Sequence, residues 1–66
     1  MKKANKVYCE QFFSKKHGWC IKGQPVWTDG EQLFIKSAGH VINVTDDKRV
    51  YNTWGEAIDA YRAARA

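Results

Sequence analysis

The sequence predicts an α+β domain in which an antiparallel meander of three to five short strands precedes one C-terminal helix packed on one sheet face. Three observations predict it: short runs of β-forming residues between turn residues, an Asp-Gly turn, and an amphipathic segment behind a capping sequence at the end. The 66 residues suit one small domain. We therefore predict a single domain over 1–66, with a loose N-terminus over 1–5, a sheet over about 6–52 and a helix over about 54–65.

The last quarter of the chain contains the clearest element. Thr53 precedes Glu56 by three residues, which is the spacing of a capping box, in which each side chain hydrogen-bonds the backbone N–H of the other residue. Behind this cap, apolar residues recur at helical spacing and form one stripe, made up of Trp54, Ala57, Ile58, Tyr61 and Ala64. We expect this stripe to close the core against the sheet.

The first two strands form a predicted hairpin. Residues 6–13 are rich in β-forming side chains, residues 14–18 make a polar loop that ends in glycine, and residues 19–22 form the returning strand. With this loop, Phe13 lies opposite Trp19.

The two cysteines are interpreted through the register of this hairpin. With residues 14–18 as the loop, Cys9 lies level with Gly23 and away from Cys20. A loop of only residues 14–15 would place Cys9 opposite Cys20, but it lacks the glycine or asparagine that such a turn prefers. We expect free, partly buried thiols.

The rest of the sheet is predicted from turn residues. Residues 23–25 are expected to break the second strand, because proline cannot donate a ladder hydrogen bond and is confined to sheet edges or strand starts. Asp29-Gly30 is the strongest hairpin signal in the chain. The remaining strands are predicted at residues 26–28, 31–36, 41–45 and 50–52.

Charge is distributed unevenly along the chain. The net charge is +4 at pH 7, and residues 1–24 carry six lysines against one glutamate, whereas residues 25–61 carry three cations against six carboxylates. Such a field steers polyanions or an acidic protein surface towards the basic end. The alternative explanation is solubility, with two cations at the helix C-terminus interacting with the helix dipole.

The sequence carries no pattern typical of an enzyme, a metal centre or a membrane protein. It has no phosphate-binding loop and no nucleophile elbow, and its two cysteines and two histidines do not follow zinc-ligand spacing. It contains no apolar run near the ~20 residues that span a bilayer and no apolar signal-peptide core at its start. We therefore expect a soluble, cytoplasmic binding protein that is not an enzyme and uses no metal or cofactor.

A basic loop beside an aromatic residue indicates nucleic-acid binding. Lys15, Lys16 and Trp19 lie at the tip of the first hairpin, and Lys22 follows along the returning strand. Lysines neutralise phosphates and release counterions, and an aromatic ring can stack on a base. The alternative is a Trp19 buried in the core and flanked by solvated lysines.

Two segments are similar to a known DNA-binding family. They are Thr53-x-x-Glu56-Ala57-x-x-Ala60-Tyr61-x-x-Ala64 with the preceding Val50-Tyr51, and Gly18-Trp19-Cys20-Ile21. Over these ~20 residues the chain resembles the plant ethylene-response-factor DNA-binding domain and the related arm-binding domains of phage-type integrases. The resemblance implies a three-stranded sheet followed by one helix, with arginine and tryptophan side chains of the exposed sheet face entering the major groove. By position it points to Lys15, Lys16, Trp19, Lys22 and Arg49.

The first expectation is thus a module that binds nucleic acid through the basic first hairpin and the open sheet face. The alternative is a protein-binding inhibitor or regulator of mobile-element or phage type that docks on a host protein, since nine aromatic residues exceed what one helix–sheet interface needs. Trp27 and Tyr51 are its candidate anchors. An exposed edge strand near Pro25 would support homodimerisation.

Overall fold

The computed structural model describes residues 1–65, with Arg65 described by its backbone, and Ala66 of the predicted domain lies outside the described residues. Its elements, in chain order, are β1 (Lys2–Ser14), β2 (Gly18–Thr28), β3 (Leu33–Ser37), β4 (His40–Asn43), β5 (Val50–Tyr51) and α1 (Trp54–Arg65). Every paired strand is antiparallel to its neighbour. The predicted α+β class, with one C-terminal helix after an antiparallel sheet, is confirmed.

The order of the strands adds a crossover to the predicted meander. The sheet has the order β4-β3-β2-β1-β5, so the first four strands meander and β5 lies beside β1 at the opposite edge from β4. Residues 44–49 therefore cross the sheet. Val44 packs with Tyr8 in the main apolar cluster of the face that this segment crosses, and the Arg49 guanidinium lies over the Tyr8 ring. The Arg49 carbonyl then accepts a hydrogen bond from the Cys9 N–H at 2.9 Å, which starts the pairing of β5.

The register of the first hairpin agrees with the prediction. Phe13 pairs with Trp19, Cys9 pairs with Gly23, and the loop connects Ser14 to Gly18. Both cysteines are free, as expected, with Cys9 buried and Cys20 half-buried.

Both hairpin strands are longer than predicted. β1 begins at Lys2, so residues 2–5 lie in a strand that pairs with the end of β2 rather than forming a loose N-terminus. β2 passes through Pro25 without a break. Within residues 1–65 the register pairs β2 with β3 only at Trp27 and Thr28. No β3 residue therefore lies opposite Pro25 to accept the backbone hydrogen bond that proline cannot donate. The proline is thus at a locally unpaired side of an inner strand, and the outer strands of the sheet are β4 and β5.

The Asp29 turn is wider than a two-residue hairpin. One carboxylate oxygen of Asp29 accepts hydrogen bonds from the backbone N–H groups of Glu31 and Gln32, at 3.0 and 2.8 Å. These two bonds hold residues 31–32 in the loop, and β3 therefore begins at Leu33. The same two donors, Gln32 foremost, lower the pKa of the Asp29 carboxyl.

The sheet buries side chains on both faces. We call the side that carries α1 the helix face, and the side crossed by residues 44–49 the crossover face. The crossover face holds the main apolar cluster, formed by Tyr8, Val26, Ile35 and Val44, each at most 3% exposed. Apolar burial of this kind is what stabilises so short a chain. The face opposite the helix is therefore covered at its centre, which corrects the expectation of an open sheet face there.

The helix closes the second, smaller buried layer. Of the two hydrogen bonds predicted for the capping box, the structure has the one from the Glu56 N–H to the Thr53 hydroxyl oxygen, at 3.1 Å. Ala57 is fully buried, and the Tyr61 hydroxyl donates to the Cys9 carbonyl at 2.6 Å. Trp54, at the start of the stripe, is still 44% exposed. The stripe thus covers this smaller layer at its middle, with both ends, Trp54 and Ala64, exposed, and the main cluster lies on the other face of the sheet.

Candidate nucleic-acid interface

The end of the first hairpin projects from the sheet as a two-stranded ribbon. β1 pairs with β5 at Val7 and Tyr8, and β2 pairs with β3 at Trp27 and Thr28. Within the described part of the chain, residues 10–22 pair only with one another. We call residues 10–22 the arm. The arm contributes to an elongated shape, with principal extents of 36, 24 and 16 Å.

The turn at the tip presents its basic side chains to solvent. The Ser14 hydroxyl oxygen accepts hydrogen bonds from the backbone N–H groups of Lys16 and His17, both at 3.3 Å. Gly18 closes the turn with a φ of 76°, a conformation that glycine adopts without strain. Lys15, Lys16 and His17 are all exposed. A local hydrogen-bond network therefore holds the cations of the tip in one compact turn.

An exposed aromatic pair lies directly behind this turn. Phe13 and Trp19 are 61% and 55% exposed, and their ring centroids are 5.4 Å apart in an edge-to-face arrangement. The alternative of a Trp19 buried in the core is therefore excluded. Two large rings held at the surface by each other offer flat apolar area next to lysines.

The alternation of side chains places this pair on the helix face. Trp54 of α1 lies on Gly23, so Gly23 and its partner Cys9 are on the helix face. Phe13 and Trp19 follow at four residues along their strands, and even spacing keeps them on the same face. Lys22 is adjacent to Gly23 and so lies on the crossover face. Lys15 and Lys16 lie in the turn next to Trp19, whereas Lys22 lies on the other side of the ribbon from Trp19.

Arg49 is held by its own neighbours on the crossover face. Its guanidinium donates to both carboxylate oxygens of Asp47, at 3.0 and 2.8 Å, and lies 4.0 Å from Glu10. The guanidinium carbon lies 5.0 Å from the Tyr8 ring centroid. These hydrogen bonds also lower the pKa of the Asp47 carboxyl. Arg49 thus covers the apolar cluster of the crossover face, away from the tip of the arm.

The ionisation of Tyr8 is expected to lower the stability of the fold at high pH. Burial, together with the neighbouring Glu10 carboxylate, raises the pKa of Tyr8 to about 12, whereas tyrosine in an unfolded chain titrates near pH ~10. Because the folded pKa is the higher one, this stabilisation is complete below pH ~10 and is lost as the pH rises through the folded pKa. We expect the free energy of unfolding to fall by on the order of 2 kcal/mol over that interval.

Urea unfolding followed by circular dichroism between pH ~9 and ~12 measures this loss. The Tyr8→Phe variant keeps a ring beneath Arg49 and cannot ionise there, so its stability should fall less steeply with pH. Parallel pH profiles for the two proteins would refute the assignment.

The residues expected to anchor a protein partner are partly covered. The Lys36 ammonium lies 4.2 Å above the Trp27 ring centroid. The Tyr51 ring packs against Tyr61, with centroids 6.1 Å apart. Both Trp27 and Tyr51 are half-buried. These contacts give both rings a role inside the fold.

Sequence reasoning missed two features of the helix face. Phe13 forms half of the exposed aromatic pair, and its position opposite Trp19 was a sufficient signal. The second feature is a groove lined by Lys3, Lys6 and Trp54, among others. This groove depends on a contact between Trp54 and Gly23, which are 31 positions apart, and no local sequence pattern predicts that contact.

Comparison of the chain with protein-family models, curated proteins and solved structures gives no match. Among the described residues, no three His, Cys, Asp or Glu side chains lie together in a way that could hold a metal ion. In the same part of the chain, no helix has the length and apolar character needed to cross a membrane.

Proposed function

We propose that this protein is a small non-enzymatic module that binds nucleic acid through the tip and the helix-face side of the arm. The observation that carries the proposal is the exposed Phe13–Trp19 pair beside Lys15 and Lys16 on a projecting ribbon. Lysines contribute phosphate neutralisation and counterion release, and exposed rings contribute stacking on bases.

The exposed rings favour unpaired bases as the ligand. In a duplex, each base already stacks on its neighbours, and inserting a protein ring requires unstacking that costs a few kcal/mol. In a single strand the base faces are free, and aromatic stacking contributes ~1–3 kcal/mol per base. The charged side chains at the tip are lysines, which act as point charges, rather than arginines, which read guanine through two hydrogen bonds. These features support sequence-tolerant binding of single strands.

The basic first hairpin that the sequence indicated remains part of the proposed surface, but the aromatic contact lies on the helix face and not on the face opposite the helix. Trp19 lies on the helix face, and Arg49 on the crossover face is engaged by Asp47. The arm therefore supports binding by a route that differs from the resemblance to the plant DNA-binding domain, in which an exposed sheet face opposite the helix makes the contacts.

The test is the salt dependence of binding, measured by fluorescence anisotropy with a labelled oligothymidylate of about 15 nucleotides. We expect the affinity of the wild-type protein to fall linearly with salt on a double-logarithmic plot. The K15A/K16A variant should show a slope shallower by about 1.4, since each phosphate contact to a single strand contributes ~0.7.

A matched variant, K2A/K48A, removes the same charge from two exposed lysines outside the arm. Lys2 lies at the opposite end of β1 from the turn, and Lys48 lies in the crossover segment. Its slope should equal that of the wild type. Absence of binding at low salt, or equal slope changes in both variants, would contradict the proposal, and stoichiometric capture of one protein by the immobilised chain would then favour the protein-docking alternative.

A further inference from the structure

An open groove lies on the helix face beside the first turn of α1. It has a volume of about 400 Å3, and its walls include the side chains of Lys3, Lys6, Pro25 and Trp54. We call it the Trp54 groove. It lies next to the irregular part of β1, where the register against β2 shifts between Lys3 and Val7. Lys6 lies within this irregular part, and it lines the groove although Tyr8, two residues further on, faces the other side of the sheet.

Gly23 seats the ring of Trp54. A Cβ atom at Gly23 would overlap Cζ3 of the indole and lie 2.9 Å from its Cε3. The edge of the six-membered ring therefore rests directly on the backbone of β2, where any side chain would displace it. Trp54 is nevertheless 44% exposed, so the rest of the ring is accessible. A large ring fixed at one edge and open on the remainder is suited to stacking.

The groove is basic as well as aromatic. Lys6 is fixed at its side, since its ammonium donates to the Asn52 side-chain oxygen at 2.6 Å. Lys3 lines the same groove and is exposed. No Asp or Glu is found among the described residues that line it. The charge of the groove therefore complements an anion, and its ring complements a flat apolar group.

We propose that the Trp54 groove binds one nucleotide unit of a single-stranded nucleic acid, with its base against Trp54 and its phosphates beside Lys3 and Lys6. The inference rests on the proposed function and adds a second contact to it. The groove includes Val7, and Phe13 lies six residues further along β1, about 20 Å away at the usual rise of a strand. Both sites are on the helix face, on either side of Cys9, which is buried beneath α1, so one nucleic-acid strand reaches both by passing beside the helix.

The three tryptophans allow the two sites to be tested separately in one experiment. In a 1H–15N correlation spectrum each indole N–H gives its own signal, which single Trp→Phe variants assign. On titration with an oligothymidylate of about 15 nucleotides, we expect the signals of Trp19 and Trp54 to shift. Trp27 pairs with Lys3 on the same face, so its signal is expected to shift with that of Trp54, and the backbone N–H signal of Ile42 on the crossover face is the internal reference.

Two variants address the groove alone. The K3Q/K6Q variant should reduce the shift of the Trp54 signal and keep that of Trp19. The W54A variant should weaken binding by about fivefold or more, whereas W54F, which keeps a ring, should restore most of the affinity. Thermal unfolding of each variant confirms that it is folded.

Each outcome separates the two proposals. If the Trp19 signal shifts and the Trp54 signal does not, the groove is refuted and the arm remains. If neither signal shifts, both proposals fail. If polyglutamate shifts the Trp54 signal as strongly as the oligonucleotide does, the groove is a general anion site and the stacking of a base is refuted.

Discussion

Replacing Ile35 by alanine is expected to destabilise the protein by about 2–5 kcal/mol and to leave much of it unfolded at room temperature. Ile35 is 3% exposed and packs in the apolar cluster of the crossover face. Removal of its side chain loses the transfer free energy of three carbons and leaves a cavity that the neighbouring strands cannot fill. A domain of this size has a small free energy of unfolding, because a short chain buries only ~60% of the surface that its unfolded form exposes.

Ile42 provides a matched control for this prediction. It is the residue directly opposite Ile35 in the β3–β4 ladder and is 45% exposed. The same chemical change, Ile42→Ala, should therefore destabilise by less than about 1 kcal/mol. Urea unfolding followed by circular dichroism gives both free energies under the same conditions. Equal losses at the two positions would show that the crossover segment does not bury Ile35 as the structure has it.

The parts of the fold that could be predicted from the sequence depend on local interactions. The capping sequence from Thr53 to Glu56 fixes the start of α1 through a hydrogen bond within one turn. The polar loop at residues 14–18 fixes the hairpin register, because each pair follows once the loop length is set. Both were predicted correctly for this reason.

The placement of β5 could not be predicted because it depends on pairing between distant segments. Val50 lies opposite Tyr8, 42 positions away, and the intervening chain must cross one face of the sheet to reach it. Residues 46–49, between the predicted strands 41–45 and 50–52, are polar and typical of a turn, and a turn does not indicate that the chain crosses the sheet. Arg49 was consequently grouped with the basic arm, whereas its bonds to Asp47 and its position over Tyr8 belong to the fold.

Part of the candidate site could likewise be predicted from local interactions, and part depends on a tertiary contact. The clustering of Lys15, Lys16 and Trp19 follows from the turn between them, and the sequence was sufficient to find it. The face on which Trp19 lies follows from the docking of Trp54 on Gly23, a tertiary contact. The position of Trp19 beside the turn could therefore be predicted from the sequence, whereas the face of the sheet on which its ring lies could not.

Replacing Trp19 by alanine is expected to weaken the binding of single-stranded nucleic acid by between about fivefold and about 150-fold, the loss of one stacked base. The slope of affinity against salt should stay unchanged, because the indole carries no charge and releases no counterion. Phe13→Ala should show a smaller loss of the same kind, since its ring supports Trp19 at 5.4 Å between centroids. Fluorescence anisotropy at several salt concentrations measures affinity and slope together.

Phe12 supplies the control that distinguishes a contact on one face from a general loss of apolar surface. It is adjacent to Phe13 and is 46% exposed, but the alternation of the strand directs it to the crossover face. If the helix face makes the contact, Phe12→Ala should bind as the wild-type protein does. If Phe12→Ala loses as much affinity as Trp19→Ala, the bound nucleic acid cannot follow the helix face from the arm to the Trp54 groove. The ratio of these two losses therefore locates the binding surface on the arm.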